Sequence, residues 1–66
     1  MIKPTLQIKK ELKEKGWSLK GVKIKVERFY DFIWLYVPSE TDYKGFDKAV
    51  ADVAGIPFTS VMMKAI

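Results

Sequence analysis

The stretch of residues 22–37, VKIKVERFYDFIWLYV, constrains the fold more than any other part of the chain. In its first half, aliphatic residues at positions 22, 24 and 26 alternate with charged residues. In its second half, aromatic residues at positions 32, 34 and 36 alternate with aliphatic residues. A period of two residues is typical of a β-strand that is buried on one face. The stretch therefore predicts a β-hairpin with aliphatic side chains on one face and charged and aromatic side chains on the other.

The turn of this hairpin is predicted at Tyr30 and Asp31. A slip of one residue would set aliphatic residues opposite aromatic ones, so the pattern favours a register that keeps the aliphatic residues together. Because the turn has no Gly or Asn, which two-residue hairpin turns prefer, a longer or bulged connection is the alternative. The predicted register contains two aliphatic pairs: Val26 opposite Leu35, and Ile24 opposite Val37.

Two helices are predicted, at residues 5–15 and 40–54. The first has a narrow apolar stripe, chiefly Ile8 and Leu12, and ends at Gly16, where we expect a left-handed glycine cap. The second carries apolar residues at helical spacing and ends at Gly55. Gly45 lies inside the second predicted helix, where it costs ~1 kcal/mol relative to alanine.

The C-terminal residues 57–66 fit either a strand or a short helix. We favour a third strand, because a two-stranded sheet is only marginally stable alone. Residues 1–66 are then a single small α+β domain, a two-layer α-β-β-α-β sandwich. In it, an antiparallel hairpin packs against two helices, and the C-terminal segment is a third strand or, alternatively, a short helix.

The composition excludes several kinds of site. Cysteine and histidine are both absent, which removes disulfides, thiolate and imidazole metal sites, and nucleophiles activated by histidine. The serine and threonine residues have no base to activate them, and the acidic residues are scattered. We therefore expect a protein that is not an enzyme, with no catalytic, cofactor-binding or metal-binding residues.

The charge is unevenly distributed along the chain. The net charge is +4, but residues 1–28 carry nine Lys and Arg against three Glu, whereas residues 29–66 carry three Lys against five Asp and Glu. Such an asymmetry indicates either a side that binds polyanions or lysines that serve solubility. The chain also has no Asn and one Gln, a composition that either resembles heat-adapted proteins or arises by chance.

No segment resembles a signal peptide, and the longest apolar run, residues 32–37, is too short to span a bilayer. We therefore expect a cytoplasmic protein that does not associate with membranes.

A chain of 66 residues buries only ~60% of its unfolded surface, so oligomerisation is the most available additional source of stability.

The leading hypothesis is an interaction module that forms a homodimer or binds a protein partner through the aromatic face of its sheet. Large uncovered apolar patches are rare on monomers, and aromatic residues are enriched at protein interfaces. The residues predicted to bind the partner are Phe29, Phe32, Trp34 and Tyr36.

The alternative hypothesis is a single-stranded RNA- or DNA-binding protein that uses the same aromatic residues. Bases stack on aromatic rings at sheet surfaces, and nearby cations neutralise the phosphates. The same cations also fit a solvated helix face and lysines that protect a sheet edge. The cations assigned to this alternative are Lys23, Lys25, Arg28, Lys9 and Lys13.

Overall fold

Two helices and three strands follow one another along the chain in the predicted α-β-β-α-β order. The computed structural model describes residues 2–66. Its elements are helix α1 (Thr5–Glu14), strands β1 (Lys23–Glu27) and β2 (Phe32–Val37), helix α2 (Phe46–Ala54) and strand β3 (Val61–Ala65). A single 3₁₀ turn, Phe58–Ser60, precedes β3. The α+β fold and the strand in the C-terminal segment are therefore confirmed.

The sheet has the order β1-β2-β3, with the aromatic strand β2 in the centre. Strands β1 and β2 are antiparallel, as a hairpin requires, and β2 and β3 are parallel. Parallel neighbours need a crossover connection, which here contains α2. The sheet is consequently mixed, and the last strand lies beside the aromatic residues of β2.

The predicted hairpin register is wrong by two residues, although the faces are right. Val26 lies opposite Ile33, not Leu35, and Ile24 lies opposite Leu35, not Val37. The connection is a four-residue loop, residues 28–31, instead of a two-residue turn at Tyr30 and Asp31. A type I′ turn at this point would place both Tyr30 and Asp31 at positive φ, which is strained for residues other than glycine, whereas the longer loop places only one residue there. That residue is Asp31, with φ of 50°, and Asp tolerates this region better than most side chains.

The hydrophobic core lies between the helices and the aliphatic face of the sheet. Ile33, Leu35 and Val37 of β2 are completely buried, as are Ile8 and Leu12 of α1. Each such side chain contributes ~1.5–3 kcal/mol when it leaves water. The prediction that the aliphatic residues face the helices is confirmed.

Helix α1 ends with the glycine cap that its sequence predicts, but its last residue is Glu14, one residue before the predicted end. The N–H of Trp17 donates to the carbonyl oxygen of Leu12 at 3.1 Å, and that of Gly16 to Lys13 at 3.0 Å. With φ of 98° at Gly16, these bonds form a Schellman cap. The reversal packs the half-buried Trp17 against the core, where its ring centroid lies 4.9 Å from that of Phe46.

Helix α2 begins at Phe46, not at residue 40 as predicted. Gly45 has φ of 83°, a left-handed conformation that stops the helix from extending toward its N-terminus. The expectation that Gly45 lies inside the helix is therefore wrong. Residues 40–45 form turns, and among them Tyr43 is buried and its hydroxyl donates to the carbonyl oxygen of Ser18 at 2.7 Å.

The helices of residues 2–66 have ten and nine residues, about half of the ~20 that a bilayer crossing requires. None of them is long and apolar enough to cross a membrane.

Candidate functional site: the outer sheet face

The side of the sheet that faces away from the helices carries the aromatic residues. Alternation along β2 buries Ile33, Leu35 and Val37 and turns the residues between them outward. Cross-strand partners share a face, so the register identifies the neighbours of the rings on both sides. We call this surface the outer sheet face, and it consists of Lys23, Lys25, Glu27, Phe32, Trp34, Tyr36, Met62 and Lys64.

Three rings form a column along the centre of this face. Phe32, Trp34 and Tyr36 are half-buried, and the ring centroids of Phe32 and Trp34 lie 5.1 Å apart with an interplanar angle of 54°. Alternate residues of a strand are ~6.6–6.8 Å apart along its axis, so the residues that carry the three rings follow one another at a regular spacing. The column exposes part of three aromatic side chains to solvent.

Lysines flank the aromatic column on both sides. On β1, Lys25 lies opposite Trp34 and Lys23 lies opposite Tyr36. On β3, Lys64 is the partner of Tyr36, and its Nζ lies 5.4 Å from the ring centroid of Trp34, which is cation–π distance. The rings therefore lie between two lysines of β1 and one lysine of β3.

A single acidic side chain shares this face. Glu27 lies opposite Phe32, and its Oε1 is 3.5 Å from Nζ of Lys25. With Lys23, Lys25 and Lys64 against Glu27, the outer sheet face has a net charge of +2. The positive charge is concentrated at the end of the column that carries Trp34 and Tyr36.

A small pocket lies at that end of the face. Lys23, Tyr36 and Ile66 line it, and its volume is about 200 Å³. Sites for small molecules usually have ~300–1,000 Å³. The pocket is therefore smaller than a typical small-molecule site.

Phe29, one of the four predicted partner-binding aromatics, does not belong to the outer sheet face. It lies in the four-residue hairpin loop and is 88% exposed. Its ring packs edge-to-face on Tyr30, with centroids 4.9 Å apart. The structure thus brings Phe32, Trp34 and Tyr36 together and places Phe29 at the tip of the hairpin.

Three of the predicted cations also lie away from the rings. Lys9 and Lys13 are on α1, in the helical layer on the other side of the sheet. Arg28 begins the hairpin loop, and its Nη1 donates to the carbonyl oxygen of Ile2 at 2.9 Å, which fixes the N-terminal segment. Of the five cations, the structure therefore places only Lys23 and Lys25 beside the aromatic column.

Sequence reasoning missed Lys64 and Met62. Their side chains reach the outer sheet face because β3 pairs with β2, which sets Met62 beside Trp34. The period of two in residues 61–66 was the available signal, since it places positions 62 and 64 on the same face. That Met62 and Lys64 lie beside the aromatic residues of β2 depends on the strand order, which the period does not give.

The acidic side chains of residues 2–66 do not form a cluster that could bind a metal ion. Within residues 2–66, no three Asp or Glu side chains lie close enough together to hold a metal ion.

Comparison of the chain with known protein families, with curated proteins and with solved structures finds no match.

Proposed function

We propose that this protein binds single-stranded nucleic acid across its outer sheet face, without catalysis. The observation that carries the proposal is the column of Phe32, Trp34 and Tyr36 with lysines on both neighbouring strands. Bases stack on the rings, each stack contributing ~1–3 kcal/mol. The backbone phosphates lie along Lys23, Lys25 and Lys64. We also propose that the protein is cytoplasmic, as expected from the sequence.

The arrangement of charge favours a polyanion over a second copy of the same face. Face-to-face packing of two molecules would bring the lysines of both copies together around the rings, where they would lose water. Burying charges without partners costs several kcal/mol per ion. Phosphate groups neutralise the same lysines, and counterions are released when they bind.

Fluorescence of Trp34 tests this proposal directly. The variant Trp17→Phe removes the other tryptophan, which is half-buried and packs against Tyr43 and Phe46. Titration with oligo(dT) or oligo(U) of about ten nucleotides, within the usual range of single-strand site sizes, is expected to quench Trp34. If Lys23, Lys25 and Lys64 each contact one phosphate, a plot of the logarithm of the affinity against the logarithm of the salt concentration has a slope of about −2.

Comparison of the two oligonucleotides identifies whether DNA or RNA is preferred. The control is the variant Trp34→Phe, which keeps Trp17, in the same titration. Anisotropy of a labelled oligonucleotide then checks that the fluorescence signal reports binding. Absence of quenching and of anisotropy change at low salt would overturn the proposal.

A second candidate function is binding of a protein partner, or of a second copy, through the aromatic residues of the hairpin. Phe29 and Tyr30 favour it, because they are 88% and 75% exposed at the hairpin tip. Large exposed aromatic side chains are typical of interfaces. In this case Phe29→Ala and Trp34→Ala would both abolish a complex seen by light scattering, and oligonucleotides would have no effect on Trp34.

A further inference from the structure

The two edges of the sheet differ in how they are protected. Strand β1, at one edge, carries Lys23, Lys25 and Glu27, the charged side chains that proteins use to prevent pairing with another sheet. Strand β3, at the other edge, has the sequence VMMKA with Lys64 as its only charge. The edge formed by β3 thus lacks the protection that β1 has.

The backbone of β3 has unused hydrogen-bonding groups on its open side. In a parallel ladder, alternate residues of an edge strand turn their N–H and C=O groups toward the neighbouring strand. The N–H of Ile66 donates to the carbonyl oxygen of Val37 at 2.8 Å. By this alternation the even-numbered residues bond to β2, and the backbone groups of the odd-numbered residues, with Met63 at the centre, line the open edge.

Exposed apolar side chains are concentrated in the same segment. Among residues 2–66, six large hydrophobic side chains are exposed, and half of them belong to β3 and its flanks. Phe58 is 47% exposed, Met62 45% and Ile66 74%. A strand that pairs with β3 would cover apolar surface as well as satisfy backbone groups.

We infer that β3 pairs with β3 of a second copy of this chain, in antiparallel orientation and centred on Met63. A two-fold axis then sets Val61 opposite Ala65 of the second copy and Met62 opposite Lys64 of the second copy. Each odd-numbered pair exchanges two backbone hydrogen bonds. All five residues of β3 are paired.

The charges of β3 select this register. Centring the pair on Lys64 would set two lysines directly opposite each other, which destabilises a sheet. Centring it on Met63 sets each lysine against a methionine, whose flexible thioether side chain packs along the aliphatic part of the lysine. The edge is therefore self-complementary in the register that uses its full length.

The dimer places both outer sheet faces on the same side of one six-stranded sheet. The two aromatic columns lie three strand spacings apart, about 14 Å. The inference does not rest on the proposed function, but if that function is correct, one oligonucleotide can cross both columns.

Sedimentation equilibrium of the full chain without nucleic acid tests the inference, with Met62 variants as a matched pair. Met62→Lys sets two like-charge pairs across the interface, and Met62→Glu sets two opposite-charge pairs. We expect Met62→Lys to raise the dimer dissociation constant and Met62→Glu to lower it, each by about 2- to 30-fold. Met62 is exposed on the outer face, and circular dichroism checks that both variants fold.

If Met62→Lys does not fold, the tighter dimer of Met62→Glu still carries the test. A chain that stays monomeric at millimolar concentration would overturn the inference. A dimer that neither Met62 variant changes, but that Trp34→Ala dissociates, would also overturn it and would place the interface on the aromatic column. Because no oligonucleotide is present, a negative result leaves the proposed function standing.

Discussion

Trp34 and Phe29 are both aromatic residues of the hairpin, but their surroundings differ. Trp34 lies on the central strand, with Phe32 at 5.1 Å and the Nζ of Lys64 at 5.4 Å from its ring centroid. Phe29 lies in the loop and contacts Tyr30. Of the two, only Trp34 combines a ring on a strand with adjacent cations, which is the environment in which a base stacks and its phosphate is neutralised.

Trp34→Ala is expected to weaken oligonucleotide binding by about 5- to 150-fold, because one stacking contact of ~1–3 kcal/mol is lost. Phe29→Ala is the matched control and should change the affinity less than threefold. Anisotropy of a labelled oligonucleotide measures both. Equal losses in the two variants would contradict a binding site confined to the outer sheet face, since the hairpin tip would then contribute as much as Trp34.

Lys64 and Lys13 provide a second matched pair, one on the outer sheet face and one on helix α1. Lys64→Ala should reduce the magnitude of the salt-dependence slope by about 0.7, the value for one phosphate contact on a single strand. Lys13→Ala should leave the slope unchanged, since it lies in the other layer. Affinities measured at several salt concentrations give both slopes, and a larger change for Lys13 would place the nucleic acid on the helical side.

At the scale of elements, Gly45 decides where α2 begins. Tyr43 and Phe46 are three residues apart, a spacing that resembles a continuing helix in the sequence. In the structure both rings pack on Trp17, but Tyr43 does so from a turn. The left-handed backbone of Gly45 separates the turn from the helix.

Gly45→Ala has opposite expected effects in the two arrangements. Inside a helix the substitution stabilises by ~1 kcal/mol, whereas at φ of 83° it destabilises by ~1–2 kcal/mol. We expect destabilisation, measured as a lower midpoint in urea unfolding. No atom other than those of the chain neighbours lies within 4 Å of the added Cβ, so a steric clash does not contribute. An increase in stability would contradict the helix boundary.

The sequence predicts the faces of the elements better than their ends. Period-two alternation identified the buried side chains of β2, because burial follows directly from side-chain direction. The hairpin register depended on the backbone conformation of Asp31, and the start of α2 on that of Gly45, and neither is encoded in hydrophobic periodicity. The position of Lys64 beside Trp34 depended on strand order, which no local pattern specifies.

For the whole molecule, the decisive feature is that the helices cover only one face of the sheet. The core collects the buried aliphatic residues of β2, α1 and α2 around Phe46, which is completely buried. No buried polar or charged residue interrupts it in the part of the chain that the structure describes. The other face has no element of residues 2–66 to cover it, and its side chains are half-buried or exposed.

Phe46→Ala is expected to destabilise the protein by ~3–5 kcal/mol, because it removes a buried ring that contacts Trp17 and Tyr43. A domain of this size has a total stability of roughly 3–10 kcal/mol, so much of the population should unfold. Phe29→Ala, at an 88% exposed position, should change the stability by less than about 0.5 kcal/mol. Thermal unfolding followed by circular dichroism compares them, and similar midpoints would contradict the assigned core.

Binding of nucleic acid to the outer sheet face is tested most directly by a ¹H–¹⁵N NMR titration of the full chain with a short single-stranded oligonucleotide. Binding at this face predicts that the largest chemical-shift changes fall on β1, β2 and β3, at Lys25, Trp34, Tyr36 and Lys64, while the residues of α1 change little. Changes concentrated on α1 around Lys9 and Lys13, or no changes at all at low salt, would contradict it.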